Sequence, residues 1–448
     1  MDYDLIIIGA GPAGYVAAIR AGQLGMKTAL VEKKAVGGMC LNWGCIPTKV
    51  YIESAKLFDR IKSAKAFGID GIDPAQIAFN WGTTKKRSDD IVKKLTGGVN
   101  YLLRKNGVEV IHGQAQLNGP SSVTVNNRLI EGKNILIATG SYPKNLDFQL
   151  PDGKSVEVEQ LSQLDSFPEK ILIYGFGGVA LEFAQFFRMI NREVTLVSPV
   201  KNLLPGVDTY LSSYLLRKTR GRGVQIIEEA QLTVNTDNQL FINDKPADYD
   251  LLLNCSWRRA VVPASEVELK LTADGYIQVD EHLQTSIPGV YAAGDVNGLS
   301  YLAHVASAQS LYVVNRLQGM PDNLKINQFP INIYTIPEVA QIGLTEGEIR
   351  EKGIEYRIGE FPMSANGKAL AEDSADGLIR VLSEKKYGEV LGVQIIASNA
   401  TDLIAEAAAF MSVEATVYDV ARTIHAHPTV SEVFLEADLD AADTPIHK

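Results

Sequence analysis

Cysteine is scarce in this chain: Cys40, Cys45 and Cys255 are the only three in 448 residues. So few thiols exclude an extracellular scaffold stapled by disulfides. Surplus positive charge is lacking as well. Lysine and arginine number 43 against 53 aspartates and glutamates, a formal net charge of −10, which argues against binding a phosphate backbone. Long uninterrupted apolar runs are also missing. The apolar start MDYDLIIIGAGPAGYVAAIRAG has no basic leader and is broken by Pro12, Arg20 and its glycines, so it reads neither as a signal peptide nor as a membrane span. At 46% hydrophobic and 21% charged residues, the chain is expected to be globular, cytoplasmic and divided into two to four domains.

What is present begins with YDLIIIGAGPAGYVAAIRAGQLGMKTALVEKK. The apolar run 5–8 predicts a strand buried on both faces, followed by a glycine turn, a helix and a second strand. Gly9, Gly11 and Gly14 match G-x-G-x-x-G. The first permits a tight turn, the second lets a pyrophosphate reach backbone N–H groups, and the third lets helix and strand close on each other. Glu32 ends the second strand, where a carboxylate can accept from ribose hydroxyls. A second unit follows in KILIYGFGGVALEFAQFFRMINREVTLVSPVK, with a strand over 171–174, a helix over 179–189 and a strand over 193–197. Gly175, Gly177 and Ala180 occupy its fingerprint positions. This copy is less regular: Ser198 stands where the acid belongs, and Lys201 is near enough to meet a 2′-phosphate. The alternative is a degenerate unit that binds nothing. Two dinucleotide folds imply two redox carriers, a flavin dinucleotide in the first and a nicotinamide in the second. The expected fold class is α/β, with two Rossmann-like domains.

The stretch CLNWGC places Cys40 and Cys45 five positions apart. Five residues of regular helix rise about 7.5 Å, whereas disulfide-bonded Cα atoms lie at most about 7 Å apart. If the two sulfurs bridge, Cys40 must therefore precede the helix that runs on through KVYIESAKLFDRI, with Gly44 easing the turn. As a staple, so short a loop removes little unfolded-state entropy. As a zinc site it lacks partners, and no metal site is expected. Two buried, unlinked cysteines and a thiol exchange centre remain as readings. Exchange needs a proton carrier, and HAHPTVSE near the C-terminus supplies His425 and His427, with Glu432 five residues after the second. A histidine steered by a carboxylate suits that task, although such a pair is also a common structural one.

GGMCLNWGCIPTK, the two fingerprints, ATGS, YAAGDV, LAHVASAQ, IYTIPEVAQIGLTE and HAHPTVSE occur together in the order of the flavoprotein disulfide reductases, and the chain resembles that family over its whole length. Within the family it is most similar to the branch that oxidises dihydrolipoamide. The resemblance implies a Cys40–Cys45 redox disulfide, with Cys40 as the interchange thiol and Cys45 beside the flavin. Lys49 and Glu182 would pair near the flavin and nicotinamide rings. FAD would be held by the first fingerprint and Glu32, by Gly113 and Ala115, by Thr139 and Gly140, by Asp295 on the ribityl chain and by Ala303. His427 would be the acid–base, oriented by Glu432 and supplied by the second subunit of a homodimer. The implied domains are an FAD domain (1–146), an NAD(P) domain (147–262), a central return to the FAD domain (263–327) and a C-terminal α+β dimerisation domain (328–448). The implied partner is a lipoyl domain or lipoyl carrier protein on a separate chain.

Departures from the family pattern gather on the nicotinamide side. Ser198 lacks the acid of the NAD-selective pattern, Ala180 leans toward NADP, and Trp257 in CSWRRAVVP replaces a glycine. Met39 also takes the place of a hydroxyl residue before Cys40. NAD is the expected carrier, with NADP as the alternative. Two further readings are a reductase of another small disulfide, and a flavin-bound redox subunit with an impaired nicotinamide site.

Overall fold

The computed structural model describes residues 1–321 and 328–448. These divide into two compact units, 1–149 with 155–167 and 254–321, and 150–154 with 168–253 and 328–448. The expected domain boundary at 327 falls outside the described residues.

The first unit is built around strand Tyr3–Ile8, which pairs in parallel with Thr28–Glu32 on one side and with Arg128–Ile137 on the other. Glu109–His112 extends the sheet beyond Thr28–Glu32, and Val290–Ala292 adds to Arg128–Ile137, both in parallel. Successive side chains of a strand face opposite sides, so Leu5 and Ile7 enter one core while Ile6 and Ile8 enter another. The first core is closed by helix Pro12–Gln23 packed on helix Ala303–Leu317. Alanines at 13, 17, 18 and 21 are buried on the former, and their small size lets the two helices approach. The long strand also folds back into an antiparallel arm with Ala115–Gly119 and Ser122–Val125.

The second unit joins a parallel sheet to an antiparallel one. In the first, Gln225–Ile227, Glu193–Val197 and Lys170–Gly175 pair in parallel and Leu251–Cys255 follows beside Lys170–Gly175, with helix Gly177–Met189 after that central strand. The antiparallel sheet runs Ile331–Ile333, Glu338–Gly343, Val390–Ala397, Leu378–Glu384, Tyr356–Pro362. Helices Ala400–Ser412 and Glu432–Ala441 cover it, their apolar faces merging with the sheet in a single core. The fold class expected from the sequence, two Rossmann-like folds and a C-terminal α+β domain, is the one observed.

The junction between these sheets is polar and buried. Arg380 donates to Glu360 (2.7 Å), Gln394 (2.8 Å) and Glu346 (2.9 Å). Asp208, at the start of helix Thr209–Gly221, accepts from the Glu346 amide, and its own amide donates to Gln341. Arg380 is thus buried with opposite charge and hydrogen bonds around it, the condition under which an interior charge is tolerated.

Candidate active site

Cys40 lies in the short helix Gly38–Asn42, and Cys45 opens the helix Cys45–Ile61. Trp43 and Gly44 break the two, so Cys40 is outside the second helix, as the spacing requires of a bridged pair. Close packing holds the region in place: a Cβ on Gly38 would lie 2.6 Å from the Gly11 Cα, and one on Gly44 would lie 2.3 Å from the Met39 sulfur. Met39, a departure in the sequence, therefore covers the turn between the thiols. The structure holds the pair as thiols. The hydrogen bond that the Cys40 thiol donates to Cys45, then burial and the Cys45 charge, push the Cys40 thiol far up, while Lys49, on the helix that Cys45 opens, pulls it down. Cys45 is the first residue of its helix, a position where the helix dipole favours a thiolate.

The first nucleotide groove lies beside this pair. Gly9 has φ 102°, and a Cβ on Gly14 would meet the Gly9 carbonyl at 1.7 Å, so both positions admit glycine alone. Glu32 is buried at its strand's end and accepts from the amides of Ala10 (2.8 Å) and Lys34 (2.6 Å). Gly113 follows strand Glu109–His112 and donates its amide to the Glu32 carbonyl (3.0 Å), and Ala115 begins the antiparallel arm. The fold thus gathers Gly9, Gly11, Gly14, Glu32, Gly113 and Ala115 from distant parts of the sequence. Thr139 and Gly140 follow the long strand, and Ala303 opens helix Ala303–Leu317. The Thr139 hydroxyl is buried and has no hydrogen-bond partner among the described residues, a group that a bound ligand would satisfy. Glycine turn, terminal acid and orphaned hydroxyl fit an FAD.

In the second unit Gly175 and Gly177 have φ 144° and 84°, and space is open above Gly177. Ala180 is buried in helix Gly177–Met189, whereas Val179 is exposed at its start. These positions fit a dinucleotide pyrophosphate. Ser198 is fully buried, and its hydroxyl donates to the Val200 carbonyl (2.8 Å) while receiving the Val200 amide (3.2 Å). The serine therefore closes a turn of its own chain instead of facing a ribose. Glu182 is buried on the same helix and accepts from the Tyr334 amide (3.0 Å). Lys49, its expected partner, belongs to the first unit.

His427 and Glu432 come together as their spacing suggests. His427 Nδ1 lies 2.9 Å from Glu432 Oε1, and the other carboxylate oxygen accepts from the Thr429 amide (2.8 Å). The Thr429 amide and then His427 hold the Glu432 carboxyl below its usual range, against a raising effect of burial. His427 is 80% exposed, and Ile424 close by is 96% exposed. His425 instead faces Glu406 at 2.8 Å.

Sequence reading missed several residues around these sites. Tyr15 on helix Pro12–Gln23 lies within electrostatic reach of both sulfurs; burial first, then their charge, pushes its phenol up. Ser141 and Arg258 form hydrogen bonds to each other beside Asp295. The serine of ATGS and the doubled arginine of CSWRRAVVP were visible, but nothing in one dimension joined them. A two-stranded ribbon does so, pairing Ser141–Pro143 with Arg258–Ala260. Trp257, 52% exposed, precedes the ribbon, and its carbonyl accepts from the Lys144 amide (2.6 Å). The bulky residue at a glycine position is thus accommodated at the surface.

A family model described as pyridine nucleotide-disulphide oxidoreductase matches residues 3–310, and the dimerisation domain of the same name matches 329–438. A dihydrolipoyl dehydrogenase of Mycoplasma genitalium is 37% identical over 97% of both chains. One from Bacillus subtilis is 35% identical over 100% of this chain and 99% of its own. Among solved structures, LpdA of Mycobacterium tuberculosis superposes with a TM-score of 0.88 over 97% of this chain and 98% of its own. At 24% identity that likeness speaks to the fold alone.

Proposed function

Because the chain belongs to the pyridine nucleotide-disulphide oxidoreductase family, we propose that it oxidises dihydrolipoamide on a separate lipoyl carrier chain and reduces NAD, as a cytoplasmic, FAD-containing homodimer. The observation that carries this reading is the thiol pair straddling a helix break, with one sulfur at a helix N-terminus and Lys49 within electrostatic reach. In the oxidised enzyme a substrate sulfur attacks Cys40 of the Cys40–Cys45 disulfide, and Cys45 leaves as a thiolate. The second substrate sulfur then displaces Cys40 and closes the substrate's disulfide. Two protons leave the dithiol: one stays on Cys40, and His427 takes the other while Glu432 orients its ring. FAD, when bound, supplies the carrier that passes the electron pair from Cys45 to the nicotinamide. Glu32, the Gly9–Gly14 turn and Thr139 would hold its adenosine and phosphate side, and Asp295 its ribityl chain.

NAD is favoured over NADP because Ser198 is turned inward and Lys201 is the lone cation in the loop after it. The exposed His427 and Ile424 support a dimer, since a partner subunit would cover the isoleucine and bring the histidine to its thiols. The test is steady-state turnover of purified protein with dihydrolipoamide, measured with NAD and NADP in turn and then with a panel of other disulfides. The expected result is a flavin spectrum and NAD-dependent turnover that is lost in Cys45→Ser. Turnover with another disulfide alone would replace the substrate assignment, and bound FAD without nicotinamide turnover would sink the dehydrogenase reading.

A further inference from the structure

Beside Asp295 lies a charged group that the motifs leave without a task. Asp295 Oδ2 receives the Ser141 hydroxyl at 2.5 Å. The same hydroxyl oxygen is 2.8 Å from Arg258 Nε, and Arg258 Nη2 donates to the Ser141 carbonyl at 3.0 Å. A guanidinium can only donate, and a serine hydroxyl has one proton. The Arg258 N–H therefore occupies a lone pair of Ser141, which turns the single hydroxyl proton toward Asp295. The direction of the chain is fixed: Arg258 to Ser141 to Asp295.

The fold holds the arginine in this position. In the ribbon register Arg258 opposes Pro143 and Ala260 opposes Ser141. Arg259, pointing to the other face, lies over the Tyr142 ring at 4.3 Å. The Arg258 carbonyl accepts from the Tyr276 hydroxyl (2.7 Å), and the Glu159 carboxylate lies 3.5 Å from its guanidinium. Burial pushes the Asp295 carboxyl up, while the Ser141 hydrogen bond and the Arg258 charge act to lower it. A carboxylate that is to accept from a ligand hydroxyl must stay ionised and stay aimed.

We propose that Arg258, acting through the Ser141 hydroxyl, is a positioning residue that holds Asp295 as an aimed carboxylate for the hydroxyls of the flavin's ribityl chain. This rests on the reading that the first groove binds FAD. Charge-assisted hydrogen bonds of this kind are each significant in a desolvated site, and removing the first link leaves Ser141 free to rotate away from Asp295.

The test is the rate of FAD release from full-length holoprotein, followed by the rise in flavin fluorescence, together with the flavin's midpoint potential. Arg258→Met and Ser141→Ala are each expected to speed release about tenfold and to shift the potential. Arg258→Lys, which keeps the charge but loses the fork, should recover part of the loss. In an Asp295→Asn background, Arg258→Met should add less than about twofold, because the two residues act along one path. An undiminished effect of Arg258→Met in that background would overturn the relay, as would unchanged release in Arg258→Met beside faster release in Asp295→Asn. Ser141→Ala removes only a hydroxyl and carries the test should Arg258→Met not fold. A wild-type protein that retains no FAD would overturn the FAD reading and the relay with it, a result distinct from either of these.

Discussion

Glu432 and Asp438 are carboxylates six residues apart with opposite surroundings. Glu432 accepts from the Thr429 amide and faces His427, so its folded pKa lies below the ordinary value. Its stabilising contribution is therefore present above the ordinary carboxylate range and lost as pH falls through the lowered value. Glu432→Gln is expected to lower turnover by about 10- to 100-fold through a misoriented His427. Its stability deficit should be constant from neutral pH down to the ordinary carboxylate range and close only below it, as followed by thermal unfolding. Asp438 is fully buried, neither carboxylate oxygen has a hydrogen-bond partner among the described residues, and burial, then the Glu406 charge, raises its pKa. The sign is reversed: stability is complete below the ordinary carboxylate pKa and is lost as pH rises toward and through the raised value. Asp438→Ala should gain stability, by about 1–3 kcal/mol at pH 9 and by less at pH 5, in thermal unfolding at the two pH values. The aspartate was plain in HAHPTVSEVFLEAD, but its isolation was not, because burial is a property of what surrounds it.

At the scale of elements, the placement of the two thiols depends on a break between two helices. Gly44 interrupts the helical path at φ −114° and ψ −104°, and the Met39 sulfur fills the space where a side chain would stand. Gly44→Ala is expected to cost about 1–3 kcal/mol by overpacking and to disturb the spacing of the two sulfurs. Met39→Ala in the same chain should return part of that stability, which denaturant unfolding of the single and double variants would measure. If the double variant is no more stable than Gly44→Ala, the contact with Met39 is not the cause. The helix break was legible from the cysteine spacing, since rise per residue is a local property. The part played by Met39 was not, because its sulfur reaches Gly44 only through the side-chain direction that the fold selects. Ser198 teaches the same lesson: its place at the strand's end was read correctly, yet its hydroxyl turns back to Val200.

At the scale of the molecule, the proposed site is shared between two copies. Mixing a Cys45→Ser chain with a His427→Gln chain leaves each parent homodimer without a working site. A mixed dimer with residues supplied in trans has one intact site of its two, so random reassortment should restore about a quarter of wild-type activity. Recovery near zero after confirmed subunit exchange would mean that histidine and thiols act within one chain. The exposed Ile424 beside His427 belongs to the same expectation, since an apolar side chain at that site gains by being covered.

The two nucleotide folds and their order, the position of Cys40 outside the helix that Cys45 opens, and the His427–Glu432 pairing follow from the sequence alone. Each rests on rules that act within a few tens of residues: strand and helix periodicity, glycine turns and rise per residue. Tertiary structure alone decided that Gly113 lies beside Glu32, that Met39 covers Gly44, that Asp438 is stranded in a core, and that Ser141 and Arg258 meet at Asp295. Those contacts join residues up to 154 positions apart. They depend on sheet pairing and burial, which arise only when the whole chain has packed.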